Sequence, residues 1–137
     1  MLRPYVGGDV DTPWRMISAP DRNREYLALL SYLPLRKYGK VPPFFRYTLQ
    51  IQRQMRATPG VIGYSMRAKV LSRNFWTLSV WEDDRTLMEF VRLPPHGEAM
   101  KWIAPHMGAT RFTRWKVPGS AVPPTWDDAM KRESKES

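Results

Sequence analysis

Histidine is the side chain best suited to moving a proton near neutral pH, and this sequence of 137 residues contains two, His96 and His106. His96 opens a predicted short helix directly after Pro94-Pro95, and it shares one helical face with Met100 and Ile103. If that face turns toward an apolar pocket, burial lowers the pKa of the imidazole and suits it to accept a proton from an acidic substrate. The alternative is a helix-start histidine bonded only to backbone or water. His106 is interpreted as a loop residue.

Aromatic and hydroxyl side chains form a second candidate group, because flat rings stack on flat ligands and hydroxyls orient them. Three tryptophans are predicted to wall such a pocket: Trp76, Trp81 and Trp102. Packing in the core is the alternative for each of them. Hydroxyl groups are expected from three residues, provided that their side chains face the helices: Ser31, Tyr32 and Tyr64. The predicted ligand is a small hydrophobic molecule.

Several kinds of chemistry lack their sequence patterns. No metal-ligand spacing, phosphate-binding glycine loop or nucleophile elbow is present, so no metal is predicted. Cysteine is absent, which excludes disulfides and cysteine-bound metal and fits a reducing cytoplasm, where we expect the protein. Asp83 and Asp84 are adjacent before a predicted helix, so they indicate a helix cap and not a catalytic carboxylate pair.

The formal net charge of +9 permits three interpretations: a nucleic-acid partner, an acidic ligand, or a solvated basic surface. The charges are scattered, so we favour the solvated surface. The strand predicted at residues 75–81 lacks the glycine-interleaved aromatic and basic pattern of RNA-recognition folds, so nucleic acid is not an expected partner. No apolar run approaches the roughly 20 residues that span a bilayer, and no signal-peptide pattern is present, so we expect no membrane association.

Four strands and two helical regions are predicted to position these residues. Aromatic, β-branched or alternating runs predict the strands at 26–33, 61–70, 75–81 and 109–117. An amphipathic helix follows Pro42-Pro43, and two short helices follow the third strand. The resulting order is the α+β, ferredoxin-like βαββαβ pattern with a four-stranded antiparallel sheet.

The domain boundaries are predicted from the positions of proline and glycine, which interrupt regular secondary structure. Residues 25–118 are assigned to the ferredoxin-like domain. Residues 1–24 are expected to form an irregular N-terminal arm, whose apolar side chains Trp14, Met16 and Ile17 are expected to lie on the domain or on a partner subunit. Residues 119–137 are expected to form a Pro-rich, then charged C-terminal tail that is mobile or draped over a partner, with Trp126 as the anchor of part of it.

The segment FWTLSVWEDDRTLMEFVRLPPHGEAM, together with the preceding ATPGVIGYSM, resembles the second half of antibiotic-biosynthesis-monooxygenase-like domains. Those domains, part of the dimeric α/β barrel superfamily, have a strand ending in a pair such as VW, a short acidic turn and a helix. The resemblance covers residues 26–117. It implies a homodimer in which two sheets pack face to face, with a pocket between each sheet and its own helices.

Members of this superfamily include cofactor-independent oxygenases of aromatic polyketides, haem-degrading enzymes and isomerases. The haem-degrading branch uses an Asn in its first strand and a His late in the helical region, where this sequence has Ser31 and Met100. Phe90 stands at a position that is Trp in that branch. Phe90 and Met100 join the candidate substrate-binding residues. No cofactor is predicted, and haem is an alternative whose residue pattern is not matched.

These observations predict a small-molecule oxygenase that binds a hydrophobic aromatic or polyene substrate between sheet and helices. His96 would remove a proton, and the resulting carbanion or phenolate would react with O2. The alternative is a non-catalytic barrel protein that holds a hydrophobic ligand or haem. A sheet with helices on one side only leaves its other side exposed, which also favours a homodimer.

Overall fold

The computed structural model describes residues 3–4, 9–93 and 96–136. Because proline lacks the backbone N–H that a helix needs, the sequence predicts that Pro94-Pro95 ends the first of the two short helices, and this pair lies outside the described residues. The strands in this part of the chain are β1 (Arg3–Pro4), β2 (Asp9–Asp11), β3 (Arg15–Met16), β4 (Glu25–Pro34), β5 (Val61–Lys69), β6 (Asn74–Trp81) and β7 (Arg111–Pro118). The α-helices are α1 (Val41–Arg56), α2 (Asp84–Arg92), α3 (His96–Ile103) and α4 (Trp126–Glu136). Among the described residues, no helix has the length and apolar character needed to cross a membrane.

The strands form one antiparallel sheet in the order β1-β2-β5-β6-β4-β7, with β3 pairing to β5 beside this path. β4 lies between β6 and β7 and pairs with both of them. The helical crossover through α1 and the β5–β6 hairpin give the ferredoxin-like arrangement, which confirms the predicted fold class. The sheet is open and does not close into a barrel within one chain.

The sheet has two faces that take alternate side chains of each strand. We call the side packed against α1, α2 and α3 the inner face; from β4 it receives Leu29 and Ser31. The opposite side is the outer face, and from β4 it receives Ala28 and Leu30. Because both faces are apolar, the sequence of β4 is almost continuously hydrophobic, which is typical of a strand covered on both sides.

Strict alternation along residues 61–70 predicts that Ile62 and Tyr64 share one face, and the beginning of β5 departs from this pattern. A bulge between Val61 and Gly63 shifts the register, so Val61 packs with Tyr64 and Trp81 on the inner face. Ile62 instead joins an outer-face cluster. One extra residue in a strand moves all preceding side chains to the opposite face of the sheet, and this shift explains why Ile62 lies on the outer face.

The helices cover the inner face as their apolar periodicity predicts. α1 has Pro42-Pro43 in its first turn and buries Phe44 and Met55. α2 is capped by Asp83, whose carboxylate accepts a hydrogen bond from the Thr86 backbone N–H at 2.8 Å. The hydrogen bonds from Thr86 lower the pKa of Asp83, and they confirm the predicted helix cap.

Both ends of the chain contain regular structure that the sequence did not predict. Asp9–Asp11 and Arg15–Met16 pair with β5, where an irregular arm was expected. Arg67 of β5 donates from Nε and Nη2 to the two carboxylate oxygens of Asp11, at 2.8 and 3.0 Å. The expected mobile or partner-bound tail instead ends in α4, which packs on the outer face. Strand pairing and packing contacts determine the conformation of these short polar segments more than local propensity does. The assignment of residues 25–118 as the domain stays a prediction.

Candidate functional site

A cavity of about 320 Å³ lies between the inner face of the sheet and the three helices that cover it. The helices give it a largely apolar wall, which includes Phe44, Ile51, Met55, Leu87, Met88 and Val91. The strands add hydroxyl groups from Ser31, Tyr64, Thr77 and Ser79. An apolar cavity with a few polar groups is the usual form of a site for a hydrophobic small molecule.

His96, the first residue of α3, lies half-buried in the wall of this cavity. Its ring Nδ1 lies 3.3 Å from the backbone carbonyl oxygen of Val91. A carbonyl can only accept, so Nδ1 carries the proton and the lone pair is on Nε2. Burial lowers the pKa of His96, while the hydrogen bond to Val91 opposes this and raises it. Burial therefore favours the neutral form of the imidazole, which is able to accept a proton.

Gln54 of α1 fixes the backbone around this histidine. Its side-chain oxygen accepts a hydrogen bond from the His96 backbone N–H at 3.2 Å, and its side-chain nitrogen donates to the Phe90 carbonyl at 3.3 Å. One amide therefore joins α1 to the end of α2 and the start of α3. The Phe90 ring also contacts the imidazole, with ring centres 5.3 Å apart. Together these contacts limit the positions that His96 can adopt.

The sheet side of the cavity carries an aromatic wall with fixed polar groups. Trp81 packs against Phe90 with ring centres 4.9 Å apart, and its Nε1 donates to Ser79 Oγ at 2.8 Å. Tyr64 accepts a hydrogen bond at its hydroxyl oxygen from Arg56 Nη1 at 3.0 Å. Because the arginine only donates, the hydroxyl hydrogen of Tyr64 remains available to a ligand.

A cation and an aromatic ring from β7 complete the lining. Arg114 is half-exposed and donates to Asp84 Oδ1 at 2.6 Å, while Phe112 is exposed over half of its surface (51%). Both lie on the side of β7 that faces the cavity. Because β7 is an edge strand of the sheet, both side chains border the cavity and are also accessible to solvent.

The structure brings together most of the site residues predicted from the sequence. The cavity is lined by Ser31, Tyr64, Trp81, Phe90, His96 and Met100. The predicted apolar face of α1 lines it as well, through Phe44, Tyr47, Thr48, Ile51 and Met55. Whether these residues bind a substrate stays a prediction.

Three predicted residues are placed away from the cavity. Tyr32 and Trp76 are paired across β4 and β6 with ring centres 5.0 Å apart, and both pack in an outer-face cluster. They are direct neighbours of Ser31 and Thr77, so strand alternation turns them to the opposite side. Trp102 contacts Tyr47 and His106 at 5.0 and 4.9 Å between ring centres. It therefore packs on the helical layer and is absent from the cavity lining.

Two residues with evident roles at the site were missed from the sequence. The alternation of β7 could have identified Arg114, because Phe112 and Arg114 are separated by one residue and share a face. No sequence signal marks Gln54, since a glutamine on a helix is ordinarily solvated. Its role depends on the approach of three helices, which no local pattern encodes.

The positions linked to haem chemistry by the resemblance all lie in the cavity wall: Ser31, Phe90 and Met100. Their side chains do not reproduce the polar groups of the haem-degrading branch, so the residues present do not fit that mechanism. Among the described residues, no group of three or more His, Asp or Glu is placed to hold a metal ion.

No protein-family model and no curated protein matches the sequence. Solved structures do match it. A candidate antibiotic biosynthesis monooxygenase from Caulobacter crescentus aligns with 69% of this chain and 91% of its own, at a TM-score of 0.60 and 18% identity. SnoaB, a cofactor-independent oxygenase from Streptomyces nogalater, aligns with 67% of this chain and 92% of its own, at a TM-score of 0.55 and 8% identity.

A candidate monooxygenase from Lactobacillus acidophilus aligns with 69% of this chain, at a TM-score of 0.60 and 12% identity. This chain spans only 45% of that protein's length. At such identities a structural likeness establishes the fold, and one fold hosts many activities. The chain therefore has the ferredoxin-like α+β fold of these antibiotic-biosynthesis-monooxygenase-like structures.

Proposed function

We propose that the protein is a small-molecule oxygenase of the antibiotic-biosynthesis-monooxygenase-like type, acting on a hydrophobic aromatic or polyene substrate. The observation that carries the proposal is the half-buried imidazole of His96 in the wall of an apolar cavity of about 320 Å³. Its Nδ1 is engaged by the Val91 carbonyl, which leaves Nε2 as the basic nitrogen. A neutral imidazole in apolar surroundings is well suited to act as a general base.

In this proposal the cavity binds the substrate by stacking and apolar burial, with Trp81 and Phe90 as the aromatic wall. His96 Nε2 takes a proton from an acidic C–H or phenolic O–H group. Tyr64 then donates a hydrogen bond to the oxygen on which negative charge develops. Removal of water from the site strengthens both interactions.

Molecular oxygen is the oxidant in the proposed reaction. The electron-rich anion reacts with O2, so that a CH2 group becomes C=O. One oxygen atom enters the product and the other leaves as water, with the two substrate hydrogens. The protein contributes orientation, the base and water exclusion.

The experiment measures O2 uptake with dithranol, a dihydroxyanthrone that carries an acidic CH2 group, as the probe. Wild-type protein is expected to consume O2 above the spontaneous rate. His96→Gln is expected to reduce the catalysed rate by about 10²- to 10⁴-fold, the usual contribution of a general base. His106→Gln is the matched control, because it removes the other imidazole, which does not line the cavity. Equal rates for His96→Gln and wild type would contradict the assigned role.

A second candidate is a ligand-binding protein without turnover. Within the described part of the chain, the cavity lining includes no carboxylate, so His96 has no acid partner beside it. Titration with dithranol under anaerobic conditions separates the two candidates through quenching of tryptophan fluorescence. Tight binding combined with O2 uptake at only the spontaneous rate would favour the binding protein.

A further inference from the structure

The outer face of the sheet is the surface through which the resemblance implies that two copies pack together. Its centre is formed by Ala28, Leu30, Leu78 and Val80, each with 0% of its surface exposed in a single chain. A face that is already covered has no apolar surface left to drive association. Whether two copies associate through this face therefore depends on the segments that cover it.

Helix α4 covers the part of this face around Leu30 and Leu78. Ala129 has 0% exposure and packs in one cluster with Leu30, Trp76 and Leu78. Trp126 and Met130 pack against the same cluster, so one apolar side of α4 lies on the centre of the sheet. The small side chain of Ala129 lets the helix backbone approach the strands closely.

Polar contacts fix the orientation of α4 on the sheet. Glu133 is only 6% exposed, and its Oε2 accepts a hydrogen bond from Trp76 Nε1 at 3.2 Å. Its Oε1 lies 3.9 Å from Arg111 Nη2. The guanidinium of Arg67 stacks over Trp126 at 4.9 Å from the ring centre. A buried carboxylate with partners on two strands marks a specific docking geometry, because such a group is costly to bury without them.

The N-terminal arm covers a further part of the outer face through Trp14. This indole packs against the clusters of both Ala28 and Leu30. Gly63 of β5 lies directly beneath it, and a Cβ atom at that position would lie 2.6 Å from the Trp14 ring. The absence of a side chain at Gly63 is therefore what allows Trp14 to lie flat on the sheet.

We propose that α4 and Trp14 take the place of the second sheet, so that the protein is a self-capped monomer. The outer face then binds a second copy of this chain only after α4 is displaced. The homodimer expected from the sequence was motivated by an exposed apolar face, and the contacts of α4 remove that motive. This proposal does not depend on the chemistry of His96.

The first test is the mass of the full chain in solution, measured by light scattering during size exclusion from micromolar to hundreds of micromolar concentration. The expected mass is 16.1 kDa at every concentration. A mass of twice this value would overturn the proposal, whether the copies meet through open sheets or exchange their helices.

The second test displaces α4 in the full-length protein. Ala129→Arg places a long cation between α4 and the sheet, and Ser134→Arg places the same side chain on an exposed position of the same helix. Ala129→Arg is expected to lose hydrogen-exchange protection in α4 and to form dimers in a concentration-dependent manner. Ser134→Arg is expected to keep both the protection and the single-chain mass. A monomeric Ala129→Arg protein would overturn the proposed second-copy site.

A third measurement covers the case in which Ala129→Arg does not fold. The chain has no cysteine, so Ala129→Cys and Ser134→Cys each introduce a single reactive thiol. In a self-capped monomer, labelling by a maleimide is expected to be at least about 10²-fold slower at position 129 than at position 134, because it requires local opening. Equal labelling rates in a folded monomer would show that α4 does not cover the sheet.

Discussion

The inner and outer faces of the sheet are built from alternate residues of the same strands, yet they are packed in different ways. On β6 the outer face receives Leu78 and Val80, which are fully buried in tight clusters. The inner face receives Thr77 and Ser79, which line a cavity of about 320 Å³. One face is filled by the chain itself, and the other is left open beneath its helices.

This difference distinguishes a packed surface from the surface at which we propose that a ligand binds. Side chains with no polar atoms suit a filled face, because close packing gives them their full dispersion and burial energy. Hydroxyl groups suit a face that meets a ligand, because they provide orientation at modest cost in hydration. The inner face also has His96 and Arg114 at its edges, whereas the outer face has the buried carboxylate of Glu133.

The largest expected loss of stability comes from truncating a buried side chain on the packed outer face. Leu78→Ala removes a fully buried side chain beneath α4 and should lower the free energy of unfolding by about 2–5 kcal/mol, since the cavity cannot fully collapse. Urea denaturation followed by tryptophan fluorescence measures the change. Affinity for a hydrophobic ligand on the other side of the sheet is expected to remain the same.

Truncating a side chain on the inner face should lower the free energy of unfolding by less. Met100→Ala truncates a half-buried side chain that already borders empty space, so fewer packing contacts are lost. It should instead enlarge the cavity and alter ligand affinity. A larger stability loss for Met100→Ala than for Leu78→Ala would break the distinction between the two faces.

The next effect concerns the polar anchor of the outer face. Glu133→Ala leaves the buried Trp76 Nε1 without its acceptor and should cost about 1–3 kcal/mol of stability. Glu133→Gln keeps an acceptor and should cost less. Thermal or urea unfolding of the two variants measures the difference, and equal losses would show that the hydrogen bond to Trp76 does not anchor α4.

Much of the fold could be predicted because its signals are local and repeated. The apolar run of β4, the alternation of β5, the aromatic and β-branched run of β6 and the amphipathic face of α1 predicted the ferredoxin-like order. The cover on the outer face could not be predicted in the same way, because Trp14 and Trp126 lie in segments rich in proline and charge. Their positions depend on contacts with strands far along the chain, and Gly63 signals such a contact only once its neighbour is known.

A smaller effect is expected at the support of the inner face. Gln54→Ala removes the hydrogen bonds to the Phe90 carbonyl and the His96 N–H, and should cost about 0.5–1.5 kcal/mol of stability. If Gln54 positions His96, kcat should fall more than KM changes, because the base is displaced while the apolar wall remains. Gln54→Glu keeps the acceptor for His96 and should retain more activity. An unchanged kcat in Gln54→Ala would assign this residue a structural role only.

The candidate site shows the limits of sequence prediction at the level of single residues. The expectation that His96 lines a pocket with Met100 agrees with the structure because helical spacing fixes their common face. Trp76 was grouped with Trp81 by residue type alone, although a separation of five positions places them on opposite faces of one strand. Where both sides of a strand are apolar, the face to which each side chain points can be assigned only when the layers that cover the sheet are known.

The smallest expected effect is the pH dependence of stability contributed by His96. Burial lowers its pKa in the folded protein below the ordinary value of 6.5, so the unfolded chain binds a proton more readily than the folded chain does. Stability is therefore unaffected well above pH 6.5 and decreases as the pH falls through 6.5, until the pH is below the folded pKa. His96→Gln lacks this dependence. The urea midpoint of wild type, relative to that of His96→Gln, should be lower at pH 5 than at pH 8. The same comparison with the control His106→Gln measures the effect of an imidazole outside the cavity. A shift in favour of wild type at pH 5 would mean that a carboxylate, and not the apolar wall, faces the ring.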